Sequence, residues 1–490
     1  MPTLAEFVKA YDVRGTVPDQ LSPRVAEALG AAFAEVVAIP DGSPGIVIGH
    51  DMRPSSPELS TAFAAGVTSR GVDVIVIGLC STDGLYYASG NLGLPGAMFT
   101  ASHNPARYNG IKLCRSGARP VGQDSGLAEI RDLAQWLLDG GTGMAAPVGG
   151  PGSIESRDLL ADYAAFLRGL VDLSAIRPLK VVVDAGNGMG GHTVPAVLDT
   201  AAGLPPLPLE VVPLYFELDG TFPNHEANPL DPANLVDLQA AVRDHGADIG
   251  LAFDGDADRC FVVDADGEPV SPSAITGLVA TREIARARAG GDDDVAVVHN
   301  VISSAAVAEI VREAGARPVR TRVGHSYIKA EMARHGAVFG GEHSAHYYFR
   351  DFWFADTGML AALHVLAALG EQERPLAQVC DRFERYVASG EINSTVSDQQ
   401  SVIAQVHAWA RMHDARTDEL DGLTIASPEG AEPMWWFNVR ASNTEPLLRL
   451  NVEAADRETM VRLRDELLAL IRADRDPVMT TERPDGGEAP

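Results

Sequence analysis

Three stretches of this chain are written in one grammar. "GIVIGHDMRPSSPELSTAFAAGV", "KVVVDAGNGMGGHTVPAVL" and "VAVVHNVISSAAVAEIV" each run from β-branched residues through a polar or Gly-rich turn into a helical pattern. A strand feeding a helix in this way is the unit of a parallel α/β sheet. The stretches begin near residues 45, 180 and 295, a domain-sized interval that excludes a solenoid. A chain of 490 residues is also too long for one hydrophobic core. The expectation is α/β: three related α/β domains in a row.

Gly and Pro cluster at 138–153, a second break follows "FVVDADGEPVSP" near 265–272, and a softer third lies near 381–390. Beyond 391 the pattern changes to "EINSTVSD", then "WWFNVRASNTEPLLRLNVEA", then a long helix to 474, which reads as a smaller α+β domain. The expected division is 1–150, 151–267, 268–385 and 386–476. The tail 477–490 has too little apolar content to fold and is expected to be disordered.

Lys and Arg number 39 against 67 Asp and Glu, a formal net charge of -28. That field repels nucleic acid and anionic membranes, so neither is expected as a partner. A small anionic substrate stays possible where Arg residues cluster locally. Cys80, Cys114, Cys260 and Cys380 are far apart and form no C-x-x-C pair, which fits a reducing cytosol rather than a disulfide framework or a zinc site. The start "MPTLAEFVKAYDVRG" lacks the pattern of a signal peptide, and no apolar run reaches membrane-spanning length. A cytoplasmic monomer or homodimer is the expectation.

"LAFDGDADRCFVVD" sets Asp254, Asp256 and Asp258 alternately just after a strand-like run. Like charges roughly 4 Å apart repel by about 4 kcal/mol at a moderate effective dielectric. A hard cation removes the conflict, and Mg²⁺ takes few carboxylates plus a phosphate oxygen. An EF-hand is excluded, because Arg259 and Ala265 stand where that loop needs Gly and Glu. A solvated acidic turn is the plainer alternative, and Arg259, a cation able to hold a phosphate beside the carboxylates, weighs against it.

Other clusters carry less on their own. In "GGEHSAHYYF", Glu342, Ser344 and His346 alternate, so an extended backbone would point all three one way, toward the hydroxyls of a sugar. "VRASNTEPLLRL" offers Arg440, Ser442, Asn443 and Thr444, an inventory that suits a phosphate. "TASHNP" places Ser102 in what reads as a turn. "VGHSYIK" contributes His325, "YDVRG" contributes Arg14, and Lys112 is one of only four lysines in a chain that otherwise uses Arg. "DAGNGMGG" contains G-x-G-x-x-G at Gly186, Gly188 and Gly191. It fails the test of a dinucleotide site, since Glu210 precedes the next apolar run instead of ending it. A serine hydrolase is excluded as well, for want of a G-x-S-x-G elbow.

Taken together, these motifs resemble the α-D-phosphohexomutase family, in its phosphomannomutase/phosphoglucomutase branch. The likeness runs in order through "YDVRG", "TASHNP", "LDGTFPNHEANP", "DGDADR", "GEHSAH" and "RASNTEP", so it covers nearly the whole chain. It implies three related α/β domains and a smaller α+β C-terminal domain around a central cleft. The family's phosphoserine falls on Ser102 and its metal ligands on Asp254, Asp256 and Asp258, with the serine phosphate completing a Mg²⁺ shell. Arg259 matches the arginine after the ligands. Glu342 and Ser344 match the sugar-reading loop, and Arg440, Ser442, Asn443 and Thr444 match the substrate-phosphate loop. Arg14, Lys112, His325 and His346 match positions around the phosphoserine and the reacting hydroxyl.

The implied reaction interconverts hexose 6-phosphate and hexose 1-phosphate, with mannose preferred and glucose also considered. A hexose 1,6-bisphosphate is the implied intermediate and activator, and Lys112 or His346 accepts the sugar's proton. His343 stands where this branch usually has Met, and "HNVISS" lacks a lysine that some relatives carry after the third domain's first strand. A phosphoglucosamine mutase of the same family is therefore the alternative, with a dinucleotide-dependent oxidoreductase far behind.

Overall fold

The computed structural model describes residues 3–8, 11–142, 147, 149–441 and 447–473. The chain divides into two compact units, Met1–Glu384 and Arg385–Pro490.

The first unit holds three sheets. The first is built from β1 (Val13–Thr16), β2 (Gly45–His50), β3 (Asp73–Leu79), β4 (Gly96–Phe99), β5 (Tyr108–Arg115), β6 (Arg119–Pro120) and β7 (Ile154–Ser156), in the order β1-β5-β4-β2-β3-β7 with β6 paired to β5. The second has β8 (Leu179–Asp184), β9 (Leu209–Leu214), β10 (Ile249–Phe253), β11 (Cys260–Val263) and β12 (Pro269–Val270), in the order β12-β11-β10-β8-β9. The third has β13 (Ala296–Asn300), β14 (Arg317–Thr321), β15 (Phe339–Gly341), β16 (Tyr347–Phe349) and β17 (Ala355–Asp356), in the order β14-β13-β15-β16-β17.

One topology recurs in all three. A central strand (β2, β8 or β13) is flanked by two parallel partners, and the later partner (β4, β10 or β15) turns back into an antiparallel strand. The three stretches with a shared grammar supply the three central strands. β2 is buried along five of its six residues and β13 along its whole length, as strands covered on both faces require. The glycine- and proline-rich run at 138–153 does not end the first sheet. β7 lies beyond residue 150 and pairs in parallel with β3, because the chain returns along that open edge before leaving.

Helices α1 (Pro23–Phe33), α2 (Ser56–Thr68) and α3 (Thr82–Leu92) belong to the first sheet. Ser22 caps α1 by accepting the Val25 N–H, with Pro23 at the first helical position. Ser81 caps α3 through the Gly84 N–H. Helix Leu160–Leu170 follows β7, and its Tyr163 and Phe166 meet Tyr87 of α3 and Trp353, an aromatic cluster joining the parts of this unit.

The second unit is a five-stranded antiparallel sheet of β18 (Val387–Thr395), β19 (Arg416–Asp418), β20 (Leu423–Ala426), β21 (Trp435–Ala441) and β22 (Leu447–Ala454), in the order β18-β22-β21-β20-β19. Helices Gln399–Met412 and Arg457–Arg472 share a core with it, made by Val406, Trp409, Phe437, Leu450, Leu463 and Leu467 among others. This is the α+β domain read from the sequence. Residues 477–490 lie outside the described residues, and among those described no helix is long and apolar enough to cross a membrane.

Candidate active site

Each of the three related sheets presents one loop at the same place, the reversal from its third parallel strand into the antiparallel strand. The loop after β4 carries Ser102, the loop after β10 carries Asp254, Asp256 and Asp258, and the loop after β15 carries Glu342, Ser344 and His346. These are carboxyl ends of parallel strands, where α/β sheets bind ligands.

The Ser102 loop is a tight turn closed by the Asn104 N–H on the Ala101 carbonyl at 3.0 Å. Ser102 lies in the left-handed region with φ 48, and its own N–H is held by the Thr100 hydroxyl at 2.9 Å. Beneath it, Arg53 is fully buried and spreads its guanidinium over four carbonyl oxygens. They belong to Ser102 (2.8 Å), Asn104 (2.7 Å), Pro105 (3.1 Å) and Tyr108 (2.9 Å). Asp51 balances that charge at 3.2 Å. Arg14, on β1, donates to the Asn104 side chain at 2.7 Å and so braces the turn from its other side.

The acidic loop meets this turn directly. Ser102 Oγ donates to Asp254 Oδ2 at 2.8 Å, and Arg259 grips the same oxygen through Nε at 2.9 Å and an amino group at 2.8 Å. The approach is close enough that a Cβ on Gly255 would fall 2.4 Å from the Ser102 carbonyl oxygen. Gly188, of the dinucleotide-like motif, presses on the other side of Gly255, with a would-be Cβ 2.7 Å from its carbonyl oxygen. Glycine is needed there so that two backbones can touch.

The three carboxylates are buried, with oxygens within 4.8 Å of one another. Lys112 Nζ bridges Asp256 Oδ2 at 2.7 Å and Asp258 Oδ2 at 2.6 Å. Burial and the neighbouring carboxylates push Asp254 up. Burial acts in the same direction on Asp256, but Lys112 outweighs it and holds Asp256 down. The remaining oxygens, Asp256 Oδ1 and Asp258 Oδ1, are buried without a hydrogen-bond partner. Orphaned acceptors beside a third carboxylate are the donor set of a hard cation, so these residues fit Mg²⁺.

Glu342, Ser344 and His346 do come together, though not on an extended backbone. The chain must reverse from β15 into β16 and folds as a turn, with Ala345 N–H on the Glu342 carbonyl at 3.1 Å and Ala345 at φ 64. Glu342 is buried, and its carboxylate accepts from Asn300 Nδ2 (3.1 Å), the Gly324 N–H (3.1 Å) and the Tyr348 hydroxyl (2.7 Å). His346 Nδ1 lies 2.9 Å from Ser344 Oγ and 3.7 Å from Glu342 Oε2, and its Nε2 lies 3.6 Å from Asp258 Oδ1. Arg259 and His346 pair as a single antiparallel β-bridge, so the acidic and third loops are joined through their main chains.

His325 opens the helix His325–His335 and packs edge-on to Tyr11. Loss of water around its ring pulls it down to about 4, and burial, with Arg259 adjacent, pushes His103 down to about 2. Both imidazoles are neutral at pH 7.

In the second unit Arg440 stands on β21 opposite Arg449 of β22, and Glu391 lies 3.5 Å from each. Asp421 is 3.6 Å from Arg440. Ser442, Asn443 and Thr444 lie outside the described residues.

The chain matches four family models in order. They are the phosphoglucomutase/phosphomannomutase alpha/beta/alpha domain I at residues 5–135, domain II at 161–267, domain III at 272–386 and the C-terminal domain at 391–470. It is 40% identical over 445 residues to the phosphohexose mutases of Xanthomonas campestris, covering 90% of this chain and 93% of that one. The chain belongs to the phosphoglucomutase/phosphomannomutase family. A phosphomannomutase of Escherichia coli is 38% identical over 444 residues, covering 89% of this chain and 92% of the relative. The structure of a phosphoglucomutase/phosphomannomutase family protein from Burkholderia thailandensis superposes with a TM-score of 0.82 at 31% identity, covering 96% of this chain and 97% of that one. An Aspergillus fumigatus N-acetylphosphoglucosamine mutase shares the fold at a TM-score of 0.60 and 14% identity, covering 97% of this chain and 99% of that one. As a member of this family the chain is a mutase, an isomerase.

Three of the residues around this family's loops were not singled out as site residues in the sequence. Arg53 sits in "HDMRPSS", which reads as a turn before proline, and an Asp-x-Arg pair directly after β2 is the signal it left. Asn300 is visible only as part of the run that lacks a lysine. Thr82, which reaches Asp256 across the unit, left no signal at all.

Proposed function

We propose that this mutase interconverts hexose 6-phosphate and hexose 1-phosphate, mannose first and glucose second, through a phosphorylated Ser102 and a hexose 1,6-bisphosphate. The observation that carries the proposal is the 2.8 Å contact of Ser102 Oγ with Asp254, inside a cluster of buried carboxylates capped by Arg259. Phosphoryl transfer asks for alignment and neutralised charge, and this arrangement offers both.

In this reading Asp254, Asp256 and Asp258 hold Mg²⁺, which when bound supplies charge neutralisation on the transferred phosphoryl oxygens. Arg53 and the Thr100 hydroxyl fix the direction in which Ser102 presents its oxygen. Arg259 stabilises negative charge beside that oxygen. His346, backed by Ser344 and Glu342, accepts the sugar's hydroxyl proton. Lys112, already between two carboxylates, serves as a fixed charge. Glu342 and Ser344 read the sugar hydroxyls, with Arg14 and His325 lining the reacting end. Arg440, Ser442, Asn443 and Thr444 hold the phosphate that is not reacting.

The bisphosphate must then turn end for end, and we assign the hinge to 381–390, which contains the passage between the two compact units. The proposed division is 1–150, 151–267, 268–385 and 386–476, with β7 returning from the second segment to complete the first sheet. The enzyme acts in the cytoplasm as a monomer or homodimer, and a hexose 1,6-bisphosphate restores its phosphate when the intermediate escapes. The phosphomannomutase of Escherichia coli, at 38% identity, supports mannose over glucosamine.

Intact mass of the purified protein tests the phosphoserine, which adds roughly 80 Da. Ser102→Ala should lose that mass and abolish interconversion of mannose 1- and 6-phosphates while still binding them. Full activity in Ser102→Ala would overturn the reading.

A further inference from the structure

Asp256 is gripped from outside its own domain. α3 begins at Thr82, whose N–H donates to the Asp256 main-chain carbonyl at 3.0 Å and whose hydroxyl donates to Asp256 Oδ2 at 2.5 Å. Both residues are fully buried. Oδ2 is thus taken twice, by Thr82 and by Lys112, while Oδ1 has no hydrogen-bond partner. Two donors on one oxygen fix the rotation of the carboxylate and leave the other oxygen's lone pairs free.

Thr82 is itself immobilised. The next residue, Asp83, is buried and accepts from the Tyr163 hydroxyl at 2.7 Å, the Thr357 hydroxyl at 2.6 Å and the Ser81 hydroxyl. Tyr163 belongs to the helix after β7, and Thr357 caps the helix Gly358–Gly370 by accepting the Leu360 N–H. Two separate parts of the unit, together with α3's own cap Ser81, therefore pin the start of α3, and α3 in turn pins Asp256.

We propose that Thr82 is a positioning residue for the cation site, setting Asp256 so that Oδ1 faces the ion. The inference rests on the reading of the acidic loop as a Mg²⁺ site. Of the two donors on Oδ2, Lys112 is divided between Asp256 and Asp258. Thr82 is neutral, anchored through its own main chain, and holds Asp256 whatever Lys112 does. Outer partners that orient a ligating carboxylate contribute about 10- to 100-fold in metal affinity.

The test is Mn²⁺ binding to the full chain, followed by loss of the free-ion electron paramagnetic resonance signal, in wild type, Thr82→Val and Thr82→Ser. Thr82→Val should bind Mn²⁺ about 10- to 100-fold more weakly, and Thr82→Ser, which keeps the hydroxyl, within about 3-fold of wild type. Thr82→Ala carries the same expectation as Thr82→Val should the latter be insoluble. A wild type that binds and a Thr82→Val that binds equally well would overturn the inference alone. Equal weakening in Thr82→Ser and Thr82→Val would overturn it too, because packing rather than the hydroxyl would then be responsible. A wild type that takes up no Mn²⁺ would overturn the cation site itself.

Discussion

The guanidinium of Arg53 meets the carbonyl oxygen of Ser102 at 2.8 Å across a separation of 49 residues. The carbonyls of Asn104 and Pro105 in the same loop, and of Tyr108 at the start of β5, also converge on it, so one buried side chain fixes the turn that presents the serine. A lysine carries its donors on one atom and cannot span that set. Arg53→Lys should lower kcat about 100-fold while Mn²⁺ affinity stays near wild type, and should cost about 2–4 kcal/mol of stability. Steady-state kinetics, metal titration and chemical denaturation check this together. An unchanged kcat in a destabilised variant would leave Arg53 as scaffold only.

Gly255 is where the serine loop and the acidic loop touch. A methyl group there would fall 2.4 Å from the Ser102 carbonyl oxygen, a main-chain atom that can yield only by moving its loop. Gly255→Ala should therefore lower kcat by 100-fold or so, because the loops separate and Ser102 moves away from Asp254. Kinetics on Gly255→Ala, set beside a circular dichroism melt, distinguishes displacement from unfolding.

Much of this was legible before any coordinates. The shared grammar of three strands announced three related sheets, and "DGDADR" pointed to a candidate cation site because three crowded carboxylates repel one another. What stayed hidden depends on separation along the chain. Thr82 and Asp256 are 174 residues apart, and nothing in "STDGLYY" marks its threonine as the one that reaches them. The alternation of Glu342, Ser344 and His346 suggested an extended run, whereas the need to reverse between β15 and β16 bent it into a turn. The glycines of "DAGNGMGG" imitate a dinucleotide loop because both uses exploit the same property, a backbone with nothing attached. Here Gly188 lets one main chain lie against Gly255.

Asp83 gives the fold a pH dependence of predictable sign. Burial raises its carboxyl to about 6, against hydrogen bonds from Ser81, Thr357 and Tyr163 that pull the other way. The folded protein therefore binds this proton more tightly than the unfolded chain. The contribution is fully present below the ordinary carboxyl range near 4 and is lost as pH rises through about 6, with an upper limit of about 3 kcal/mol. Asp83→Asn removes the titration, so the melting temperature of wild type relative to this variant should fall between about pH 4 and about pH 7. Scanning calorimetry at both pH values is the measurement, and parallel curves would refute the assignment.

Arg440 faces Arg449 across two antiparallel strands, and like charges set directly opposite disfavour a sheet unless an anion lies between them. Glu391 supplies part of that compensation. Arg440→Ala should raise KM for mannose 1-phosphate by about 10- to 100-fold, the loss expected when a charge-assisted phosphate contact is removed. Its melting temperature should change little, since the repulsion from Arg449 goes together with the ion pairs to Glu391 and Asp421. A KM left at the wild-type value would remove Arg440 from the phosphate site.

The bridge between Arg259 and His346 is made by main chain, as is the Cys260 N–H to Ala345 carbonyl bond beside it at 3.4 Å. Main-chain bonds are indifferent to which side chains ride on them. The hairpin at 341–347 can therefore be rewritten without uncoupling it from the acidic loop. On the proposed reading, Glu342 and Ser344 can be exchanged there for another sugar preference, while His346 must stay to take the proton.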